Sequence, residues 1–545
     1  MPSRRIPRRS VLLSALVLPV VTACGANRGA GAAHGSTPRS GGSLSYAVNQ
    51  EPDSWDPHAS AQDVTAFVQR PVFDSLVYQG PDGELEPWLA TSWKTSADGT
   101  VYTFDLREDV TFHDGTRLDA AAVKANFDHI TAKATQSHYA AGLLGPYLGA
   151  TVRSRYQLDV RFSRPYAPFL QAASTTYLGI ASPASLAAGE GRLSAGTGSV
   201  GSGPFKAGAY VRGQQRGYSR FPAYAWAPKS VGHSGPALLD SFTIRFITED
   251  ATRVGALTSN QVDAAAAIPP SQAALVTRNP SLTTLTKQAP GAVDAFYLNT
   301  KGALFSDVRV RKAFQRAIDL DTLVASVFQG AEKRAWSILS PTTPHSYDTA
   351  LEHSWPYDAA LAGQLLDQAG WTGRDAQGYR TRNGRRLTVV APVYGQASLF
   401  SQAVQGDLKK AGIELDLAAS TDATAVSAQL VSGHYDVVEM AWARADGDIL
   451  SSFFLSTQTA ATGGHNFADV TDPQVDAWLE AAQAAQSAQA QAAAYTKVQQ
   501  WTLDQAVVVP AYVSTATVGV STRVHGLRLG ISAWPEFYGA WVASA

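Results

Sequence analysis

The chain of 545 residues has a single cysteine, Cys24, so no intrachain disulfide can form and no paired-cysteine zinc site exists. It has no excess of charge of either sign: 44 Lys and Arg stand against 45 Asp and Glu, a formal net charge of −1. A broad nucleic-acid surface needs a basic stripe or excess, and none is present. His113, His129, His138, His434 and His465 are scattered, and no H-E-x-x-H spacing occurs, so no structural or catalytic zinc is expected. There is no G-x-S-x-G elbow for a serine hydrolase. Asp446 and Asp448 share one loop and cannot flank a sugar ring as a glycosidase pair must. Gly196, Gly198 and Gly201 have G-x-G-x-x-G spacing, but Pro204, Gly208, Gly213 and Gly217 follow where a helix should open. That is strand-and-turn chemistry, read as a hinge or tight turn and not a dinucleotide fingerprint. No repeat of 20–50 residues is present, which excludes solenoids and propellers. No catalytic constellation survives, and no cofactor is implied.

What is present begins at the N-terminus. "MPSRRIPRRS" is basic, "VLLSALVLPVV" is apolar, and "VTAC" closes the run, the pattern of a secretion signal too short for an ordinary membrane span. Val21-Thr22-Ala23-Cys24 resembles the bacterial lipobox, which implies removal of residues 1–24 and lipidation of Cys24. Arg8-Arg9 resembles a twin-arginine export signal, with general secretion the alternative. Residues 25–42, rich in Gly, Ala and Ser, read as a flexible tether. Strands and helices then alternate. "TVYTFDLRE" is expected as a strand, with Tyr102, Phe104 and Leu106 on one face. "LDAAAVKANFDHITAK" is expected as a helix capped by Asp119, and Asp307–Phe328 as another. Residues 476–505 are expected as one long helix, with Trp478, Leu479, Tyr495, Val498 and Trp501 inward. "VVVPAYV" reads as a buried strand broken by Pro510. Arg309, Arg311 and Lys312 are expected on a solvated face or in ion pairs. The generous count of 12 Trp, 20 Tyr and 20 Phe leaves rings to line a pocket as well as a core.

Seven segments, "NQEPDSWDPH", "VFDSLVY", "GELEPWLATSWKTSADGTVYTFDLREDVTFHDGTRLDAAAVKANFD", "GSGPF", "LNTKGALFSDVRVRKAFQRAIDLDTLV", "YDAALAGQLLDQAGW" and "LKKAGIEL", follow one order over about residues 43–540. In that order they resemble the extracellular solute-binding proteins, family 5, of peptide and nickel ABC importers. The resemblance implies a mixed α/β fold of the periplasmic-binding-protein-like class II (type C), with two lobes, a hinge and a small inserted domain. The expected boundaries are 43–85, 200–294 and 513–545 for lobe I, 86–199 for the inserted domain and 295–512 for the other lobe. It implies no enzyme but a monomeric, extracytoplasmic lipoprotein, anchored to the cell membrane and serving an ABC permease and ATPase. The solute is expected to be an oligopeptide or small zwitterion. A metal chelate or siderophore-like compound comes second and another amphoteric solute third. A secreted peptidase or esterase, or a pheromone receptor, are the competing classes.

For peptide binders the resemblance also implies a W-x-x-D segment lining the cleft. Trp442 matches its tryptophan and Asp446, one residue late, its aspartate, with Arg444 between them. Asp446 is expected to face a ligand cation and Arg444 an anion. The bland alternative is that these two simply pair with each other. His138, Tyr139 and Tyr177 stand where nickel-importer relatives place arginines, and His465-Asn466 lie in a further contact region. All are candidate ligand-binding residues, and the missing arginines speak against a nickel chelate of the relatives' kind.

Overall fold

Val101–Leu106 alternates half-exposed and buried side chains, turning Tyr102, Phe104 and Leu106 inward, which is the two-residue period of a strand with one packed face. Helix Ala120–Thr131 starts after Asp119, whose side chain accepts a hydrogen bond from the Ala122 N–H and satisfies an otherwise orphaned amide. Val123, Phe127 and Ile130 of that helix are buried. The structure is a computed structural model and describes residues 37–462 and 464–543. The expected signal peptide 1–24, with Cys24, and residues 25–36 of the expected tether lie outside the described residues. By contacts the chain divides into Met1–Thr37 and Pro38–Ala545. Every sheet among the described residues lies in the second.

Three sheets organise that unit. A seven-stranded sheet runs in the order Leu282–Gln288, Thr515–Ser521, Ala264–Ala265, Ser43–Val48, Ser241–Phe246, Gln215–Arg220, Phe205–Val211. Its central strand pairs parallel with Ser241–Phe246, Ser43 opposite Ser241, while the outer pairs are antiparallel. Ala90–Thr95, Val101–Leu106, Gln157–Phe162 and Tyr147–Ser154 make an antiparallel four-stranded sheet in that order. A second four-stranded sheet has the order Lys333–Arg334, Val508–Val513, Gly291–Leu298, Val437–Ala443. The backbone passes between this sheet and the seven-stranded one twice, at Ala289-Pro290 and at Ser514. The Ala289 N–H donates to the Ser514 carbonyl at 2.8 Å, tying the two crossings together. Each sheet has its own apolar core.

Four sequence expectations change. Asp307–Phe328 is not one helix but two, Val308–Arg316 and Leu320–Phe328. The Asp319 side chain caps the second by accepting from Thr322, and its own N–H donates to Asp407 Oδ2. Residues 476–505 likewise split into Pro473–Ala484 and Ala488–Asp504, with Ser487 capping the second. In both places a capping side chain outweighs the continuous apolar period. Leu479, Tyr495 and Val498 are buried as expected, and Trp478 and Trp501 are partly buried. Pro510 does not break its strand. A register shift opposite Asp294 and Ala295 absorbs the missing N–H. Arg311 is not on a solvated face: it is buried and donates to the carbonyls of Phe305, Ser306 and Gln505. The glycine-rich segment leads into the strand Phe205–Val211, with no helix opening after Gly201. A Cβ on Gly201 would fall 2.1 Å from the Val72 carbonyl oxygen, so glycine is needed there for close backbone packing.

Candidate functional site

The strand Val437–Ala443 pairs antiparallel with Gly291–Leu298, and Gly291 lies opposite Ala443. Gly291 has φ 96°, and a Cβ there would lie 2.5 Å from Arg444 N and Trp442 O. Glycine therefore lets the strand end approach the crossing. The Arg444 N–H donates to the Pro290 carbonyl at 3.2 Å, so this residue is fastened to the crossing peptide itself. The chain then turns through Asp446, whose Oδ1 accepts from the Asp448 N–H at 3.0 Å, into helix Ile449–Phe454.

Arg444 is 5% exposed, and its Nη2 lies 3.6 Å from Asp446 and 3.5 Å from Asp448. Its Nε and Nη2 have no hydrogen-bond partner among the described residues. Burial works against the charged guanidinium, but Tyr139 and the two aspartates together hold its pKa above the ordinary value. Asp448 is pushed up to about 6, by burial first and by Asp446 as well, with Arg444 pulling the other way. His465 is pushed down to about 4 by burial, so its ring is neutral at pH 7. A buried cation flanked by two anions, with two N–H groups unused, is a site whose hydrogen bonding is incomplete.

The structure brings together Tyr139, Tyr177, Trp442, Arg444 and His465. The rings of Trp442 and His465 meet edge-on at 4.4 Å, those of Trp442 and Tyr139 at 5.1 Å, and those of Tyr139 and Tyr177 at 4.8 Å. This aromatic series joins the second four-stranded sheet to the segment Tyr139–Tyr177. The Tyr177 hydroxyl donates to Asp63 Oδ1 at 3.0 Å; burial pushes the Asp63 carboxyl up to about 7.

Two chambers open beside the turn that follows the strand Val437–Ala443, the first bordered by Arg444 and the second by Asp446. One, of about 320 Å³, is bordered by Tyr139, Tyr166, Arg444, Asp448, His465 and Gln483. The other, of about 260 Å³, is bordered by Gln79, Gln171, His345, Asp446 and Gln486. Asp446 thus does not share a chamber with Arg444, and Asp448 does. His138 is exposed at the rim of the first chamber. Asn466 departs from expectation. Its side chain donates to the carbonyls of Leu455 and Val470 and accepts from the Val470 N–H, so its amide is committed to holding a loop. Sequence reading missed Asp448, Tyr166 and Gln483 as chamber residues. Asp448 had a signal in the Asp-Gly-Asp pair, whereas Gln483 sits in a run of Ala and Gln with no distinguishing pattern.

Hydrogen bonds close the gap around the chambers. Gln79 Nε2 donates to the Ala445 carbonyl at 2.9 Å, Arg164 Nη2 to Gln483 Oε1 at 2.8 Å, and the Ala167 N–H to the Gln483 carbonyl at 2.8 Å. His345 lies 3.3 Å from Glu84. A Cβ on Gly447 would lie 2.4 Å from Ser346 Oγ and 2.6 Å from the Tyr495 ring. Among the described residues, no helix is long and apolar enough to cross a membrane.

Residues 84–464 match the family described as bacterial extracellular solute-binding proteins, family 5 Middle. The chain is 29% identical over 515 residues to Protein XP55 of Streptomyces lividans, covering 91% of this chain and 88% of that protein. It is 28% identical over 360 residues to the nickel-binding periplasmic protein of Escherichia coli (strain K12), covering 64% of this chain and 66% of that one. Among solved structures, NikA from Brucella suis in complex with Fe(III)-EDTA is similar with a TM-score of 0.80 and 25% identity, covering 92% of this chain and 100% of that one. DppA from Helicobacter pylori in complex with peptide STSA has a TM-score of 0.78 and 22% identity, covering 93% and 99%. That last likeness concerns the fold alone.

Proposed function

The chain belongs to the bacterial extracellular solute-binding proteins, family 5, and from that membership we propose that it captures a short peptide or peptide-like zwitterion by lobe closure for delivery to its permease. Proteins of this family are binding components of transport and not enzymes, and they work with an ABC permease and ATPase. The protein is accordingly extracytoplasmic. In this reading the seven-stranded sheet belongs to lobe I, the sheet from Ala90 to Phe162 to the inserted domain, and the sheet containing Trp442 to the other lobe. The hinge is the hydrogen-bonded pair of crossings at Ala289-Pro290 and Ser514.

The observation that carries the ligand class is Arg444, buried with two unused N–H groups and facing the same chamber as Asp448. A ligand carboxylate completes the guanidinium, and a ligand ammonium is met by the Asp448 carboxylate. In a desolvated chamber such pairs discriminate strongly, because losing one partner strands the other. Tyr139 borders the chamber and supplies an apolar wall and a ring face for the cation, with Trp442 packed against it. A volume of about 320 Å³ lies at the small end of ligand pockets, about 300–1,000 Å³, which favours a solute of few residues. Binding favours the closed form to the extent that the solute binds it better than the open one.

A second reading, an anionic metal chelate, has one observation in its favour: Arg164 and Arg444 both border the chamber beside the neutral His465. Native mass spectrometry of the purified protein separates the two. A small zwitterion of purely organic mass supports the first reading, and an adduct bearing a metal isotope pattern replaces it with the second. Membrane anchoring through Cys24 is part of the same proposal: Cys24→Ser should release the protein from the membrane fraction, and persistent attachment would contradict it.

A further inference from the structure

Away from the chambers, the loop after the first strand carries Asp56 and His58, which are 1% and 2% exposed. The fold sets them against His129, in the last turn of helix Ala120–Thr131, and Glu190, which opens the short helix Glu190–Ser194. One ligand atom from each of Asp56, His58 and His129 lies within 4.8 Å of the others. His129 Nε2 is 3.1 Å from Asp56 Oδ2 and 3.5 Å from Glu190 Oε2, and His58 Nδ1 is 3.9 Å from Asp56 Oδ1. We propose that Asp56, His58 and His129 bind zinc, with the adjacent Glu190 turning in as the fourth ligand, and that this site fastens the loop after the first strand to the helix of the neighbouring four-stranded sheet.

Three features argue for a metal over a chain of ion pairs. The donor set, two imidazoles and two carboxylates, suits zinc, and four donors are what a closed tetrahedral site requires. The His58 Nε2–H donates to the Gly179 carbonyl at 2.8 Å. That fixes the proton on Nε2 and turns the Nδ1 lone pair into the cluster, the outer bond that orients a metal-bound imidazole. Nδ1 itself has no hydrogen-bond partner, and neither does Glu190 Oε2. An ion pair of protonated His129 with Asp56 and Glu190 accounts for three of the four groups and leaves His58 Nδ1 buried and unused. A cation at the centre accounts for all four. His129 Nδ1 lies 3.5 Å from Thr135 Oγ1, an outer partner for the second imidazole.

The site would bear on the chambers through the same loop. The Ala59 carbonyl accepts from the His138 N–H, and the Ala61 carbonyl and Asp63 accept from the Tyr177 hydroxyl. Zinc would therefore hold in place the segment against which the aromatic wall is built.

The test is a zinc titration of the untagged protein after chelator treatment, with a competing indicator and metal analysis. We expect one zinc per chain and a higher melting temperature with zinc present. Glu190→Gln and His129→Gln should each weaken zinc binding at least tenfold, and cobalt in place of zinc should give four-coordinate visible bands that both variants lose. His434→Ala, at an exposed histidine far along the chain, should change nothing. Should His58→Ala fail to fold, the other two variants and the cobalt spectrum decide alone. No stoichiometric zinc, or zinc held equally by Glu190→Gln and His129→Gln, would overturn the proposal and leave an ion-pair cluster only.

Discussion

Arg444 carries the sharpest consequences of any side chain here. It is buried beside two carboxylates, and its planar fork has two N–H groups unused. Arg444→Lys keeps the charge but loses the fork, so calorimetry with the co-purified solute should show at least a tenfold loss of affinity with the fold intact. Asp448→Asn should weaken an amine-bearing solute by a similar factor, and Asp446→Asn should weaken it less, since only Asp448 shares the chamber with Arg444. The acid dependence follows from the same residue. Asp448 is held up to about 6 by burial, so its anion, and the affinity for an ammonium, should fade as pH drops through about 6. In Asp448→Asn that limb of the pH profile should flatten. The sign for stability is opposite: a carboxyl raised above its unfolded pKa lets the fold bind more protons, so its contribution is lost as pH rises from about 4 to about 6. The sequence displayed Trp442, Arg444 and the acidic pair as a group, because a strand ending in charge is conspicuous. It did not display which aspartate faces the chamber, since neighbours on one turn point apart by geometry that composition does not encode.

At the scale of single elements, caps and glycines set boundaries that periodicity alone misplaces. Asp119→Ala should cost about 1 kcal/mol in urea unfolding, because the Ala122 amide loses its acceptor. Gly291→Ala should be more harmful, by about 1–3 kcal/mol, since φ 96° and a Cβ 2.5 Å from Trp442 O both oppose a side chain. It should also weaken solute binding by displacing Arg444. A neutral outcome in both assays would contradict the role given to this close approach. The strand Val101–Leu106 and the helix Ala120–Thr131 were legible because one period and one cap agree. The two expected long helices split because Asp319 and Ser487 offer the backbone a capping bond in place of helix continuation. Pro510 was misread because whether a proline breaks a strand depends on the partner strand, which lies far away in sequence.

For the molecule as a whole, the collinear segments made the family legible, since they extend over most of the chain and keep one order. The bonds around the chambers were not legible: Gln79 with Ala445 and Arg164 with Gln483 join residues hundreds of positions apart. Nor was the cluster of His58 with His129, which only the fold assembles. In the proposed motion these long-range pairs form on closure and break on opening. The proposed hinge is two crossing peptides joined by one hydrogen bond, and Arg444 hangs from one of them, so closure and charge recognition are mechanically linked in this account. Small-angle X-ray scattering of the protein, first stripped of solute and then reloaded with the solute that co-purifies, tests that link most directly. The radius of gyration should fall on reloading the native chain and should not fall for Arg444→Lys at the same solute concentration. Superimposable curves for stripped and loaded native protein would contradict capture by closing lobes.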